Sequence, residues 1–257
     1  MIGLIKAEVT KLTGRKLYPV MLLILGALVG LAAFFLLIFG QLNRDAVAEG
    51  LPLVEKPEAY ILGVQQVVGQ TWFALILAVV ILGGELASTI WATSLTRESS
   101  KVKHVSARLF VFTVASWIGM VIGIAFWGVV TALFAEGSGG LSVGQWFEIF
   151  WKAGITQVAW VALGLGFVSL LRSVGPAIGA VLAISFGEGL LALWRPYQNV
   201  SLTGATTAIF GDVGVPGVVG EVFGTNPIGL AQSIAIIIGW TLVGLALTWW
   251  GLNRRDA

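Results

Sequence analysis

Six long apolar stretches constrain this chain more than any other feature of its sequence. They cover residues 17–40, 67–87, 109–134, 153–171, 174–194 and 227–252. A helix of about 20 residues crosses a hydrocarbon core of about 30 Å. Charged side chains occur in only two of the stretches, Glu85 at the end of the second and Glu188 within the fifth. The pattern predicts an all-α membrane protein with about six transmembrane helices, in which residues 1–257 form a single transmembrane domain.

The composition also indicates that lipid, rather than water, surrounds much of the chain. Hydrophobic residues make up 57% of the 257 residues and charged residues only 11%, and the mean hydropathy is +0.94. A soluble domain carries about 25% charged residues, so these few charges could not cover a water-soluble fold of this length. We expect a multi-pass protein of the cell (cytoplasmic) membrane, embedded in the lipid bilayer. Its basic residues stand between the apolar stretches, which favours a role in orientation over the binding of nucleic acid.

The distribution of lysine and arginine predicts that both termini lie on the cytoplasmic side, where basic residues are retained. Eleven basic residues then fall inside: Lys6, Lys11, Arg15, Lys16, Arg97, Lys101, Lys103, Arg108, Arg172, Arg254 and Arg255. Four fall outside: Arg44, Lys56, Lys152 and Arg195.

Several kinds of chemistry lack the residues that they need. The chain has no cysteine and a single histidine, His104, which stands among lysines. These counts disfavour a thiolate or histidine metal site and an intramembrane enzyme. The sequence also lacks the Gly-x-x-x-x-Gly-Lys-Ser/Thr loop that grips nucleotide phosphates. We therefore expect no catalytic centre, no metal and no bound cofactor in this chain, and an energy source that lies in a partner or in an ion gradient.

Residues 1–16 carry apolar side chains at helical spacing, namely Ile2, Ile5, Val9 and Leu12. Such a segment can lie in the headgroup plane as an amphipathic helix. An ordinary basic flank that anchors the first span is the alternative, and the pattern alone does not separate the two. A cleaved secretory signal is disfavoured, because the apolar run is longer than the 7–15 residues of a signal.

The segment before the last span, residues 199–226, is weakly apolar, rich in glycine and carries Pro216. Irregular backbone cannot face lipid, because its polar groups would be unsatisfied. We expect an extracytoplasmic cap, either of short external helices or of a re-entrant segment. Pairs of glycines four residues apart, at Gly26, Gly119 and Gly175, could allow close helix contacts, although 34 glycines make chance matches common.

Residues 88–108 form a cytoplasmic loop that is much longer than a minimal turn. Trp91, Leu95 and Val102 recur at helical spacing, and basic residues surround them. This pattern favours a docking surface for a partner. Retention of positive charge on the inner side would also account for the basic residues.

This stretch resembles the permease subunits of type-2 ATP-binding-cassette (ABC) exporters, in which a Glu closes the second span. The residues at matching offsets are Glu85, Trp91, Leu95-Thr96-Arg97, Ser100-Lys101 and Ala107-Arg108, whereas Thr89-Ile90 departs from the usual Gly-Thr. The start of the chain is similar to the family's N-terminal elbow helix. Lys6, Glu8, Lys11 and Leu12 carry that second resemblance.

The resemblance implies a transport subunit that is not itself an enzyme. A separate cytoplasmic ABC ATPase would bind ATP and Mg, and a second permease copy or a sister permease would complete the dimer. It also implies export of a small amphipathic substrate, either drug-like, antibiotic or lipid-like. Contact with the ATPase would involve Glu85, Trp91, Leu95, Thr96, Arg97, Ser100, Lys101 and Arg108, with elbow-helix docking by Lys6, Glu8, Lys11 and Arg15.

Glu188 is the candidate for the substrate pathway, because an ionisable residue inside the membrane is functional by default. It could be protonated, or pair with Lys152 or Arg195, or line a polar path. An interhelical hydrogen bond that fixes packing is the alternative. For the chain as a whole, a gradient-driven transporter or channel and a non-transporting scaffold stay open beside the ABC permease.

Overall fold

The computed structural model describes residues 1–35, 56–87, 100–135, 139–191, 194, 197, 199–210 and 228–254. Within these residues the chain is helical and contains no strand. The helices, in chain order, are α1 (Ile2–Thr13), α2 (Leu17–Ala33), α3 (Lys56–Val68), α4 (Trp72–Ala87), α5 (Lys101–Phe134), α6 (Val143–Leu171), α7 (Val174–Leu191), α8 (Leu202–Ala208) and α9 (Leu230–Asn253).

Four helical segments are long and apolar enough to cross a membrane: Ala59–Leu86, Lys101–Phe134, Val143–Leu171 and Leu230–Asn253. Helices α1 and α2 meet at a bend of 63° and add a fifth crossing if the pair is one span. The chain is therefore an all-α, membrane-embedded protein. The fifth predicted stretch, residues 174–194, is not among these spans, because the apolar part of α7, Val174–Glu188, is shorter.

Two helices begin well before the apolar stretches that predicted them. Helix α5 starts at Lys101 rather than at 109, and its N-cap Ser100 accepts a hydrogen bond from the Lys103 backbone N–H at 3.4 Å. Residues 101–108 of the expected loop are thus the first two turns of α5, and residues 88–99 lie outside the described residues. Helix α6 starts ten residues earlier than expected, at a capping box formed by Ser142 and Gln145.

Helix α6 lies at the centre of the bundle and packs against α4, α5, α7 and α9. Its closest neighbour is α9, and glycines allow that approach. A Cβ on Gly244 would stand 2.5 Å from the Ala162 carbonyl carbon, and one on Gly251 would stand 2.5 Å from that of Ser169. The two backbones are therefore in direct contact along this interface.

The turn between α6 and α7 contains a strained residue. Arg172 is the C-cap of α6 and adopts the left-handed conformation, with φ 55° and ψ 15°. A residue with a Cβ pays about 1–2 kcal/mol there, and glycine pays none. We expect Arg172→Gly to raise the free energy of unfolding by about 0.5–1 kcal/mol, net of the extra chain entropy of glycine.

The measurement is unfolding by SDS in mixed micelles, followed by circular dichroism. Arg172→Ala is the control, because it removes the charge but keeps the Cβ. A gain with alanine equal to the gain with glycine would show that charge, rather than backbone strain, controls stability at this turn.

Candidate functional site

Five charged side chains converge where α1 meets α4 and α5. We call this group the ionic junction: Glu8 and Lys11 of α1, Arg15 directly after it, Glu85 near the end of α4, and Arg108 in the second turn of α5. All five belong to the residues for which the resemblance implied a role in ATPase coupling or docking.

Each carboxylate of the ionic junction is shared between cations. Arg108 binds both acids: its Nε lies 3.3 Å from Glu8 Oε1, and its Nη2 donates to Glu85 Oε2. Lys11 Nζ lies 3.0 Å from Glu8 Oε1 and 3.2 Å from Glu85 Oε1. Arg15 Nη2 is more distant, 3.9 Å from Glu85 Oε1. The pairs connect into one network instead of standing alone.

The central members of the network are buried. Only 2% of Glu8, 0% of Glu85 and 1% of Arg108 is exposed, whereas the side chains of Lys11 and Arg15 are 28% and 34% exposed. A buried charge is costly unless it is paired and hydrogen-bonded. The acids and Arg108 therefore require one another, and together they fasten α1 to α4 and α5.

Helix α1 turns its charged face and part of its apolar stripe toward the bundle. Glu8, Lys11 and Arg15 are three and four residues apart and share one face of a helix. Of the predicted apolar stripe, Leu12 is buried in the core and Ile5 packs against it, whereas Ile2 and Val9 are exposed. The predicted helix is present as α1, and its placement in the headgroup plane stays a prediction.

The other residues implied by the resemblance are more scattered. Ser100 caps α5, and Lys101 Nζ approaches the end of α9 at 3.5 Å from Leu252 O and 3.4 Å from Asn253 Oδ1. Lys6 is exposed on α1. Four predicted residues lie outside the described residues: Trp91, Leu95, Thr96 and Arg97.

Glu188 forms a second polar cluster, at the other end of the bundle. The side chain is 3% exposed, and its carboxylate accepts hydrogen bonds from Tyr197 Oη, from Ser201 Oγ at 2.8 Å and from the Thr203 backbone N–H at 3.0 Å. Burial raises the pKa of the Tyr197 phenol above its ordinary 10, and the hydrogen bond to Glu188 raises that pKa further. This arrangement favours the packing role for Glu188.

The structure tests one of the two partners that the sequence suggested for Glu188. Lys152 is buried but pairs with Glu148 on its own helix, at 2.5 Å, and Arg195 lies outside the described residues. The sequence did not point to Tyr197 and Ser201. The available signal was that both residues carry hydroxyl groups and follow Glu188 closely in the sequence, so they could donate to its carboxylate.

No protein-family model and no curated protein matches this chain. Within the part of the chain that the structure describes, no group of three His, Cys, Asp or Glu side chains could hold a metal ion. The fold and the polar clusters define the class as an all-α protein embedded in a membrane.

Proposed function

We propose that this chain is the permease subunit of a type-2 ABC exporter of the cell membrane. It forms the translocation path for a small amphipathic substrate, and a separate cytoplasmic ATPase hydrolyses ATP with Mg. Both termini face the cytoplasm, and a second copy of the chain or a sister permease completes the path. The observation that carries this proposal is the ionic junction, because it joins α1 to both helices that flank residues 88–99.

The ionic junction gives those residues a rigid base. Glu85 lies three residues before the segment 88–99, and Arg108 lies two helical turns into α5. Because Glu85 binds Lys11 and Arg108 binds Glu8, a displacement of the segment moves α1, α4 and α5 together. Lys101, which reaches the end of α9, extends this unit to the last helix. Coupling between distant sites requires such packed, rigid elements.

The docking surface has two parts in this proposal. Residues 88–99 contribute Trp91 and Leu95 as apolar contacts and Arg97 as a charged contact, and α1 contributes the exposed Lys6. The buried acids and Arg108 do not touch the ATPase. They act as positioning residues that transmit its movement to the helices of the path.

The experiment that tests this function is purification of the chain from its native membrane in mild detergent. Mass spectrometry should find a co-purified protein with the Gly-x-x-x-x-Gly-Lys-Ser/Thr loop. We expect Trp91→Ala combined with Arg97→Ala to lower its binding at least tenfold, roughly the loss of one or two buried contacts. ATPase activity of the complex should fall in parallel.

Arg172→Ala is the matched control, because it also removes a basic residue from a turn predicted to be cytoplasmic, but outside the docking surface. Its complex should keep wild-type binding. Absence of any ATPase, or unchanged assembly and transport in the double variant, would contradict the proposal and favour a gradient-driven transporter or a scaffold.

A further inference from the structure

A short helix lies at the end of the bundle away from the ionic junction. Helix α8 has seven residues, and it packs its buried Leu202 and Ala205 against the other helices, chiefly α9. A helix of this length is not stable by itself in isolation. Its position therefore depends on what holds it.

One side chain makes most of the polar contacts between α7 and the segment that leads into α8. The carboxylate of Glu188 binds the Ser201 hydroxyl and the Thr203 backbone N–H with one oxygen and the Tyr197 hydroxyl with the other. Ser201 is also the N-cap of α8, and its Oγ accepts from the Gly204 N–H at 3.0 Å. Glu188 thus holds the first turn of α8.

Helix α9 also holds this part of the chain: it packs against α8, and two of its side chains donate to backbone carbonyls of the segment that leads into α8. Trp240 Nε1 donates to Val200 O at 2.9 Å, and Gln232 Nε2 donates to Asn199 O at 3.4 Å. These bonds do not require α7 to stay in place. Contact between α7 and α8 is otherwise small, so the carboxylate is the connection on which that contact depends.

The strength of this connection follows from its surroundings. A carboxylate that is 3% exposed is costly unless donors satisfy it. Hydrogen bonds to an ionised group are roughly twice as strong as neutral ones. Loss of the carboxylate would leave three donors without their acceptor, and α8 would lose its attachment to α7 in one step.

We infer that Glu188 is a latch that keeps this end of the bundle closed, and that release of its carboxylate frees α8 from α7. The latch is a property of the chain alone and does not rest on an ATPase partner. The test of the latch can therefore fail while the proposed function holds. The proposed function can also fail while the latch is confirmed.

Helix α7 connects the latch to the rest of the bundle. One turn before Glu188, Ser185 Oγ lies 2.9 Å from Thr71 Oγ1, directly before α4. Helix α4 carries Glu85 near its other end. The same helix thus contacts the ionic junction at one end and the helix that bears the latch at the other. Only the idea that movement at the ionic junction reaches the latch through α4 and α7 rests on the proposed function.

The absence of cysteine makes the latch measurable, because one introduced thiol is then the only one. Ala205→Cys places it on the buried face of α8, and its reaction with a membrane-impermeant maleimide is followed in lipid nanodiscs. We expect Glu188→Ala to raise that rate at least about tenfold, since three hydrogen bonds are lost. Thr207→Val is the matched control, because that hydroxyl bonds only within α8, to Thr203 O and Gly204 O.

A second reporter separates release of α8 from general loosening. Ala78→Cys lies on the buried face of α4, and its labelling should stay slow in the Glu188→Ala background. A rise at both reporters, or no rise at Ala205→Cys, would overturn the inference. If Glu188→Ala does not fold, Tyr197→Phe and Ser201→Ala each remove one donor and should raise the rate about threefold. No increase in either would overturn it as well.

Discussion

Replacement of Arg108 by glutamine is expected to lower the free energy of unfolding by about 3–5 kcal/mol, the usual cost of removing one partner from a buried ion pair. Arg108 is 1% exposed and binds both Glu8 and Glu85. Without it, two carboxylates that are almost fully buried lose the cation that they share, and of the cations in the ionic junction Lys11 and the more distant Arg15 remain. The measurement is unfolding by SDS in mixed micelles, followed by circular dichroism.

The shared network makes a sharper test than a single variant. Glu85→Gln combined with Arg108→Gln removes one charge of each sign, and we expect the pair to cost at least about 1 kcal/mol less than the sum of the single variants. Lys6→Gln is the matched control, because this exposed lysine of α1 should change stability by less than about 0.5 kcal/mol. A cost below 1 kcal/mol for Arg108→Gln, on the scale of an exposed pair, would show that the ionic junction does not hold α1 to the bundle.

The ionic junction shows what sequence could and could not supply. Helical periodicity predicted α1, and the resemblance to ABC permeases implied roles for Glu85 and Arg108, each within its own segment. Glu8 and Arg108 are 100 residues apart, however, and no local pattern pairs them. Periodicity gives the length of a helix and which residues share a face, whereas the rotation of that face depends on neighbours.

Helix ends were predictable only in part. The apolar stretches located α5, α6 and α9 correctly, because a hydrocarbon core sets their minimum length. They missed the first ten residues of α6, which include Glu148 and Lys152. Charged residues such as Glu148 and Lys152 show where an apolar stretch ends, but the helix continues beyond that point. The better signal was local: Ser142 and Gln145 are three residues apart, as a capping box requires.

The glycines illustrate a similar limit. Of the paired glycines in the sequence, Gly119 and Gly123 stand within 3 Å of Phe73 and Val67 when a Cβ is added, but Gly26, Gly175 and Gly179 have nothing within 4 Å. Among the described glycines, the closest approach to the backbone of another helix is instead made by Gly244 and Gly251, which are seven residues apart. Both spacings place small residues on one face of a helix, and only the partner helix decides which face is used.

That contact between α6 and α9 supplies the second large prediction. Gly244→Ala is expected to lower the free energy of unfolding by about 2–3 kcal/mol, at the upper end of the cost of overpacking. The added Cβ would stand 2.5 Å from the Ala162 carbonyl carbon and 2.7 Å from its oxygen. These are backbone atoms, so no side-chain rotation relieves the clash and the two helices must separate. Separation also loosens Gly251 from Ser169, two turns away on the same face of α9.

The matched control lies on the same helix. Gly239→Ala adds the same methyl group where nothing stands within 4 Å, and we expect it to be neutral or to stabilise by up to about 1 kcal/mol, since alanine is the better helix former. The two variants share composition, helix propensity and hydrophobicity, so the difference between their SDS unfolding midpoints isolates the contact with α6. Equal midpoints would mean that α9 is held mainly by other contacts, such as Lys101 at its end and α8 near its beginning. A large difference would identify the glycine face as the reason why a helix so little buried in the bundle stays attached to it.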